Sequence, residues 1–288
     1  MSLDEDGFLV WNEERKPYKG VYGDIKRLCS FKSLMGFKKE NSDELARIIM
    51  WNFPVDFFKC FDESYIFTYL WEGSIQKSYF DIHGIKYEKY MLDYDRQLIP
   101  HCKEIEYEKR KNIVDLINIY DGKFNKIGMK IGKSNPLSKS WYEDKRKKNR
   151  SIFSQLKNNT ENYFRTVTKT KSIDNMYTVF KPYCKYVKGE GYTKGFVSCN
   201  ARGTNEFKNK KSLAYLINFF MSPDIKQFVE HYHIEFDDNL FSLSALLQWI
   251  WRSQIRDGKS INLYIPSERM RELLKMWINE CKTMSEAA

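Results

Sequence analysis

The sequence has no pair of cysteines at the spacing of a zinc-binding or redox motif. Its six cysteines are scattered, at positions 29, 60, 102, 184, 199 and 281. This spacing excludes a zinc ribbon and gives no sign of a disulfide framework, so a reducing cytoplasm fits best. No apolar run approaches the roughly 18 to 20 residues of a membrane span, and the acidic start MSLDEDG is unlike a signal peptide. We therefore expect a cytoplasmic protein with no membrane partner.

The chain does contain enough apolar material for packed cores and an excess of positive charge. Its 288 residues are 42% hydrophobic and 16% aromatic, and 48 Lys plus Arg outnumber 38 Asp plus Glu to give a net charge of +10. A basic balance of this size in a globular composition favours an anionic partner, usually nucleic acid. The alternative is a solvated basic surface with no specific partner.

The first half of the sequence contains one clear structural pattern. Residues 65–70 are aromatic and β-branched, which predicts a buried strand, and a helix should follow to about His83 and end at Gly84. From 86 to 190 the chain is polar and lysine-rich, with helical segments near 104–119 and 150–165 and the basic run KRKKNR at 145–150. This middle region is predicted to be a partly helical linker or insertion.

From Gly191 onward, short apolar strands alternate with helices. The predicted strands are GFVSCN, LAYLINFF at 213–220 and SINLYIP. The predicted helices run from near Pro223 to about 235, over LSALLQWIWRSQIR, and over ERMRELLKMWINECK after Ser267 as N-cap. Alternation of this kind predicts an α/β fold with a parallel sheet covered on both faces.

Three motifs imitate catalytic or metal sites without their full pattern. GMKIGKS at 128–134 is one residue too short between its glycines for a phosphate-binding P-loop, and Asn135-Pro136 disfavours the helix that must follow. Asp62 and Glu63 in FDES precede a predicted strand, whereas the acids of an NTPase follow one. His231, His233, Glu235 and Asp237 alternate, but two histidines without a third placed ligand favour a polar turn. We therefore predict no metal site.

Two remaining segments resemble motifs of one family. NARGTNEF at 200–207 precedes an apolar strand, and QWIWRSQIR at 248–256 precedes another strand and helix. The arrangement resembles the second RecA-like domain of superfamily 2 helicases, in the form found in phages and mobile elements. In that family an A-R-G-hydrophobic-D loop lies between nucleic-acid backbone and nucleotide, and a Q-x-x-G-R-x-x-R helix supplies arginines to ATP phosphates.

The resemblance implies roles for individual residues. Arg252, Arg256 and Gln248 would act at the ATP phosphates, with Arg252 the better candidate for the arginine finger. The loop residues Arg202, Gly203, Thr204 and Asn205 would contact nucleic-acid backbone, with Asn205 standing for the usual aspartate. Thr68, in TYLWEGS, would belong to the motif that couples hydrolysis to strand movement. Trp251 replaces the family glycine, and Arg256 lies four rather than three residues after Arg252.

These implications give the expected organisation of the chain. Residues 1–95 would be a remnant of a first motor domain, residues 96–190 a lysine-rich linker or insertion, and residues 191–288 a RecA-like helicase domain. ATP and Mg²⁺ would bind only in the context of a missing N-terminal motor domain, so this chain alone would be inactive as an ATPase. DNA is a more favoured partner than RNA. The alternative function is a free-standing, non-catalytic nucleic-acid-binding protein of a phage or mobile element.

Overall fold

The structure, a computed structural model, describes residues 1–12, 18, 20–38, 47–201 and 203–286. Its α-helices are α1 (Gly23–Ser30), α2 (Ile75–Ile82), α3 (Lys103–Val114), α4 (Lys139–Lys148), α5 (Ser151–Asn162), α6 (Cys184–Val187), α7 (Pro223–His231), α8 (Asp238–Ile250) and α9 (Glu268–Glu286). Its β-strands are β1 (Ser2–Leu3), β2 (Leu9–Val10), β3 (Leu34–Lys38), β4 (Arg47–Trp51), β5 (Tyr90–Leu92), β6 (Leu98–Pro100), β7 (Ile117–Ile119), β8 (Asn175–Thr178), β9 (Ser212–Tyr215) and β10 (Ile261–Tyr264).

The chain divides into two compact units, and the first is built from two separate stretches. It comprises Met1–Lys86 and Met221–Phe236. Strands β1 and β2 pair antiparallel, as do β3 and β4. A small core of Met35, Phe37, Phe228 and Val229 joins β3 to α7, and α7 also packs on α2.

The second unit comprises Tyr87–Phe220 and Asp237–Ala288 and contains the main sheet. The strand order is β7–β10–β9–β8, and every neighbouring pair is parallel. The strand sequences INI, NMYT, SLAY and INLY are short and largely buried. Parallel strands are covered on both faces, which is why they lack a clean apolar–polar alternation. The predicted α/β fold with a parallel sheet is confirmed.

Helices cover the two faces of this sheet. Ala214, Leu216 and Tyr264 belong to an aromatic-rich core shared with α4, α5 and α6. Tyr215, which points to the opposite face, packs against Trp249 of α8 with ring centroids 5.3 Å apart. Helix α9 packs on α8 and on α3, so these three helices cover the second face.

Several local predictions are confirmed at the level of single residues. Gly84 follows α2 with a φ of +62°, the left-handed conformation that glycine adopts easily at a helix end. Pro223 is the first residue of α7. The Ser267 hydroxyl accepts a hydrogen bond from the Met270 amide at 3.4 Å at the start of α9.

Other predicted elements are wrong. Residues 65–70 form no strand: Tyr65 and Phe67 are 62% and 86% exposed, and Leu70 has a φ of +55°. Aromatic composition favours a strand only where a partner strand and a covering layer exist. GFVSCN is reduced to a single bridge between Phe196 and Tyr177.

The lysine-rich middle region contributes to the main sheet. Residues 96–190 supply β7 and β8, two of the four strands of the main sheet. The polar composition of this stretch reflects its surface helices and loops, which surround very short buried strands.

Candidate functional site

The two helicase-like segments lie on the amino side of the parallel sheet. Arg252 and Arg256 lie between the end of α8 and the start of β10. Between them, the Gln254 amide donates to the carbonyl of Lys210, which lies two residues before β9. The Lys211 amide in turn donates to the carbonyl of Asp174, directly before β8. These backbone bonds gather the segments that enter β8, β9 and β10.

The structure brings both predicted arginines to the predicted glycine loop. Nη2 of Arg252 donates to the carbonyl oxygen of Ala201 at 3.1 Å, and Nη1 of Arg256 donates to Oδ1 of Asn205 at 2.6 Å. Both acceptors are neutral, and among the described residues neither arginine has a carboxylate within 4.0 Å. We call residues 201 and 203–205, together with Arg252 and Arg256, the amino-edge surface.

The loop has the local structure that its sequence favours. Gly203 has a φ of +68° and a Cβ at this position would meet no atom within 4 Å, so the glycine serves backbone conformation rather than close packing. The Thr204 hydroxyl accepts a hydrogen bond from the Glu206 amide at 3.3 Å, which forms a local turn. Arg202, also predicted to contact nucleic acid, lies outside the described residues.

Two other residues were predicted to take part in the site. The Gln248 side chain donates to the Ser244 hydroxyl at 3.1 Å within its own helix. Thr68 is exposed and belongs to the first compact unit, so the site is described without it.

The segments around the amino-edge surface carry more positive than negative charge. Lys208, Lys210, Lys211 and Lys259 lie in them, against the acids Asp174, Glu206 and Asp257. Lys211 pairs with Asp174 at 3.2 Å. The Lys210 ammonium donates to the Ile173 carbonyl at 2.6 Å, and burial lowers its pKa because it disfavours the charged form. With Arg252 and Arg256 included, the formal charge of these segments is positive.

The basic run at 145–150 has a different environment. It lies on α4, where Arg146 and Lys147 contact Glu143 at 3.1 and 3.3 Å, and Lys148 contacts Asp144 at 2.7 Å. Hydrogen bonds from Arg146, Tyr183 and Lys147 hold the pKa of Glu143 at about 2. Four of the five cations in the run therefore contact one of two carboxylates, which balance part of its charge.

The segments that resemble a P-loop and a metal site make structural contacts. In GMKIGKS, the Gly128 backbone packs against Pro266, and no helix starts at Ser134. His231 stacks on Phe37 with centroids 5.3 Å apart, and the Asp237 carboxylate caps α8. Among the described residues no three metal-binding side chains are grouped to hold an ion.

A partly buried guanidinium that no sequence motif predicts lies at the other end of the sheet. Arg269, at the start of α9, donates to the Phe219 carbonyl at 2.7 Å and to Asn239 Oδ1 at 2.9 Å, and it lies 4.0 Å above the Phe220 ring. Arg269 lies two residues after the helix cap Ser267, and no sequence pattern at that position predicts these hydrogen bonds. Within the part of the chain that the structure describes, no helix combines the length and the apolar composition that crossing a membrane requires.

Comparison with known proteins identifies the family. The model of the YonV C-terminal Rossmann-like domain matches residues 111–278, and that of the YonV middle domain matches residues 1–51. The SPbeta prophage-derived uncharacterized protein YonV of Bacillus subtilis (strain 168) is 38% identical over 283 residues, which are 96% of this chain and 66% of that protein. No solved structure matches the chain. The relative's prophage origin agrees with the phage-type origin suggested by the sequence, and the chain belongs to the YonV family, with a Rossmann-like domain toward its C-terminal end.

Proposed function

We propose that the chain binds the phosphate backbone of nucleic acid through the amino-edge surface. The observation that carries the proposal is the pairing of Arg252 and Arg256 with one loop, through neutral acceptors only. Each guanidinium has five N–H donors, so both keep donors and a full charge for an anionic ligand. Arg256 is exposed and Arg252 is partly exposed, and because Nε of Arg252 is buried, the donors that Arg252 keeps for a ligand are on Nη1 and Nη2.

The chemistry of the neighbouring groups fits a phosphodiester. Planar guanidinium groups bind phosphate oxygens through paired N–H donors. Gly203 leaves open space above the backbone, so a phosphate group can approach the loop closely. The Thr204 hydroxyl and the Asn205 amide add uncharged donors of the kind that position a backbone without reading its bases. We propose DNA as the favoured partner over RNA, on the charge of the chain and its prophage-derived relative.

The test replaces both arginines by glutamine. In the variant R252Q/R256Q each side chain can still donate to Ala201 or Asn205, while both charges are lost. We expect affinity for a fluorescent 20-base-pair DNA to fall about tenfold or more at 100 mM salt, measured by anisotropy. In R252K/R256K the charge remains but the planar fork is lost, and we expect an intermediate affinity.

A matched control changes two cations that already have partners. K147Q/K148Q removes the same charge from α4, where both lysines contact acids. We expect less than a twofold effect on DNA binding. Equal losses in the two double-glutamine variants would show that only net charge matters and would contradict the proposed surface.

A second candidate is the motor role implied by the helicase resemblance. The observation that favours it is the proximity of Arg252 to the loop at 201–205, which the resemblance requires. Under this proposal Arg252, with Arg256 second, reaches the γ-phosphate of ATP held with Mg²⁺ by a preceding motor domain, and the chain is part of a helicase. The chain alone should then show no ATP hydrolysis above background, with or without DNA. Hydrolysis by this chain would contradict the proposal.

A further inference from the structure

A second basic surface lies at the carboxyl ends of the strands. Residues 121–139, DGKFNKIGMKIGKSNPLSK, follow β7 and lead into α4. We call this segment the carboxyl-edge loop. Its lysines are all exposed, at 123, 126, 130, 133 and 139. Among the described residues none of the five has a carboxylate within 4.0 Å, unlike Lys145, Lys147 and Lys148 farther along α4.

The loop is located at a switch point in the topology of the sheet. Strands β7 and β10 are neighbours. The chain after β7 leads to helices on the aromatic-rich face, whereas α9 after β10 lies with α8 on the other face. In open parallel sheets, ligands bind outside the carboxyl ends of strands at such a switch point.

Buried contacts fix the backbone of the loop. The Tyr264 hydroxyl donates to the Phe124 carbonyl at 2.8 Å, and the Asn218 amide donates to the Leu137 carbonyl at 2.8 Å. Gly128 lies so close to β10 that a Cβ would come within 2.1 Å of the Pro266 carbonyl oxygen. The loop is thus attached to the ends of β9 and β10 while its lysines face solvent, and little ordering of the backbone is needed for binding.

One acid already bonds to the backbone of this loop. Glu268, the first residue of α9, accepts a hydrogen bond from the Lys130 amide at 2.7 Å. An anionic acceptor therefore occupies one loop amide at the amino end of a helix, where negative charge is favoured. The Glu268 carboxylate also opposes the approach of any further anion.

We infer that the carboxyl-edge loop is a second contact surface for nucleic-acid backbone, distinct from the amino-edge surface. The inference rests on the proposed function, because it assumes that nucleic acid is the ligand. A single nucleotide would engage one or two of these cations. Five exposed lysines within residues 123–139 provide enough cations for several phosphates, and each phosphate contact releases counterions.

The test removes positive charge from the loop in one variant and removes the neighbouring negative charge of Glu268 in another. We expect K123Q/K126Q/K130Q/K133Q to weaken binding of the 20-base-pair DNA about tenfold or more at 100 mM salt. We expect E268Q to tighten it severalfold, since glutamine can still accept from the Lys130 amide while the negative charge is lost. A tighter complex cannot arise from unfolding, so E268Q keeps the test decisive if the quadruple variant folds poorly.

The outcomes separate this inference from the proposed function. If R252Q/R256Q weakens binding while neither the quadruple variant nor E268Q changes it, the carboxyl-edge loop is not a contact surface and the proposed function stands. If the wild-type chain does not bind DNA at 50 mM salt, the proposed function fails and this inference fails with it. If ATP at micromolar concentration displaces the DNA from wild type but not from the quadruple variant, the loop is a nucleotide site, which overturns the inference.

Discussion

At the scale of single residues, the sequence identified cations at the amino edge but not their roles. The resemblance to a helicase motif predicts Arg252 and Arg256 as site residues, and in the structure they contact Ala201 and Asn205. Gln248, predicted from the same motif, bonds within its own helix. Helix α8 ends at Ile250, so Gln248 lies on the helix while both arginines lie in the segment after it.

Arg269 shows what single-residue reasoning could not supply. Its acceptors are the Phe219 carbonyl and the Asn239 side chain, on segments distant in sequence. Burial lowers its pKa because it disfavours the charged form. Such a network depends on where α8 and α9 begin relative to the end of β9, which no local pattern encodes.

We expect Arg269→Lys to lower the free energy of unfolding by about 2–3 kcal/mol. A lysine cannot reproduce the planar fork that reaches Phe219 and Asn239 together, and it stacks less well on Phe220. Urea denaturation followed by circular dichroism measures the change. The control is Arg165→Lys, an exposed position where we expect a change within about 0.5 kcal/mol. Equal stability of the two variants would contradict the structural role of Arg269.

At the scale of elements, helices with caps were predicted better than short strands. Gly84, Pro223 and Ser267 each mark a helix boundary through backbone chemistry that acts locally. The strands β7 and β8 depend instead on burial between layers, and they were missed within the lysine-rich region at 96–190. The aromatic segment at 65–70 shows the opposite outcome. Its composition predicts a strand, but the segment forms none and its side chains are exposed.

The contact of the carboxyl-edge loop with β10 depends on Gly128. We expect Gly128→Ala to lower stability by about 2 kcal/mol or more, because the added Cβ would meet the backbone of Pro266. Gly132→Ala is the matched control: its site is open, and only the φ of +57° opposes alanine, at about 1 kcal/mol. Thermal unfolding of both variants tests the contact. A smaller effect at Gly128 than at Gly132 would contradict it.

At the scale of the whole molecule, the second compact unit has a core rich in tyrosine. Burial is the main cause that raises the pKa of Tyr142, Tyr163, Tyr192 and Tyr264 above their usual range. A phenol with a raised pKa stays neutral in the folded chain and ionises at about pH 10 in the unfolded chain. Stability from these groups is therefore fully present below about pH 10 and is lost as pH rises further.

We expect the free energy of unfolding to fall above about pH 10, by about 1.4 kcal/mol per pH unit for each buried tyrosine. Tyr264→Phe should make the fall in the free energy of unfolding shallower by about 1.4 kcal/mol per pH unit, because phenylalanine does not ionise. Urea titrations at pH 9, 10 and 11 provide the measurement. A free energy of unfolding that stays constant across this range would contradict the burial of these hydroxyls.

The net charge of +10 and the α/β class were both available from the sequence, whereas the Rossmann-like family was shown only by comparison with known proteins. What the sequence could not supply was which cations have acid partners. Residues 145–148 of α4 do, whereas Arg252, Arg256 and the lysines of the carboxyl-edge loop have none among the described residues. This contrast is the physical basis of the proposed function.

The most direct test is the salt dependence of DNA affinity for wild type and R252Q/R256Q between 50 and 300 mM NaCl. The logarithm of the association constant should fall linearly with the logarithm of salt concentration, with a slope of about −0.9 for each phosphate contacted. We predict that the variant's slope is shallower by about 2, one contact for each arginine. Identical slopes for the two proteins would contradict the claim that these arginines contact the backbone.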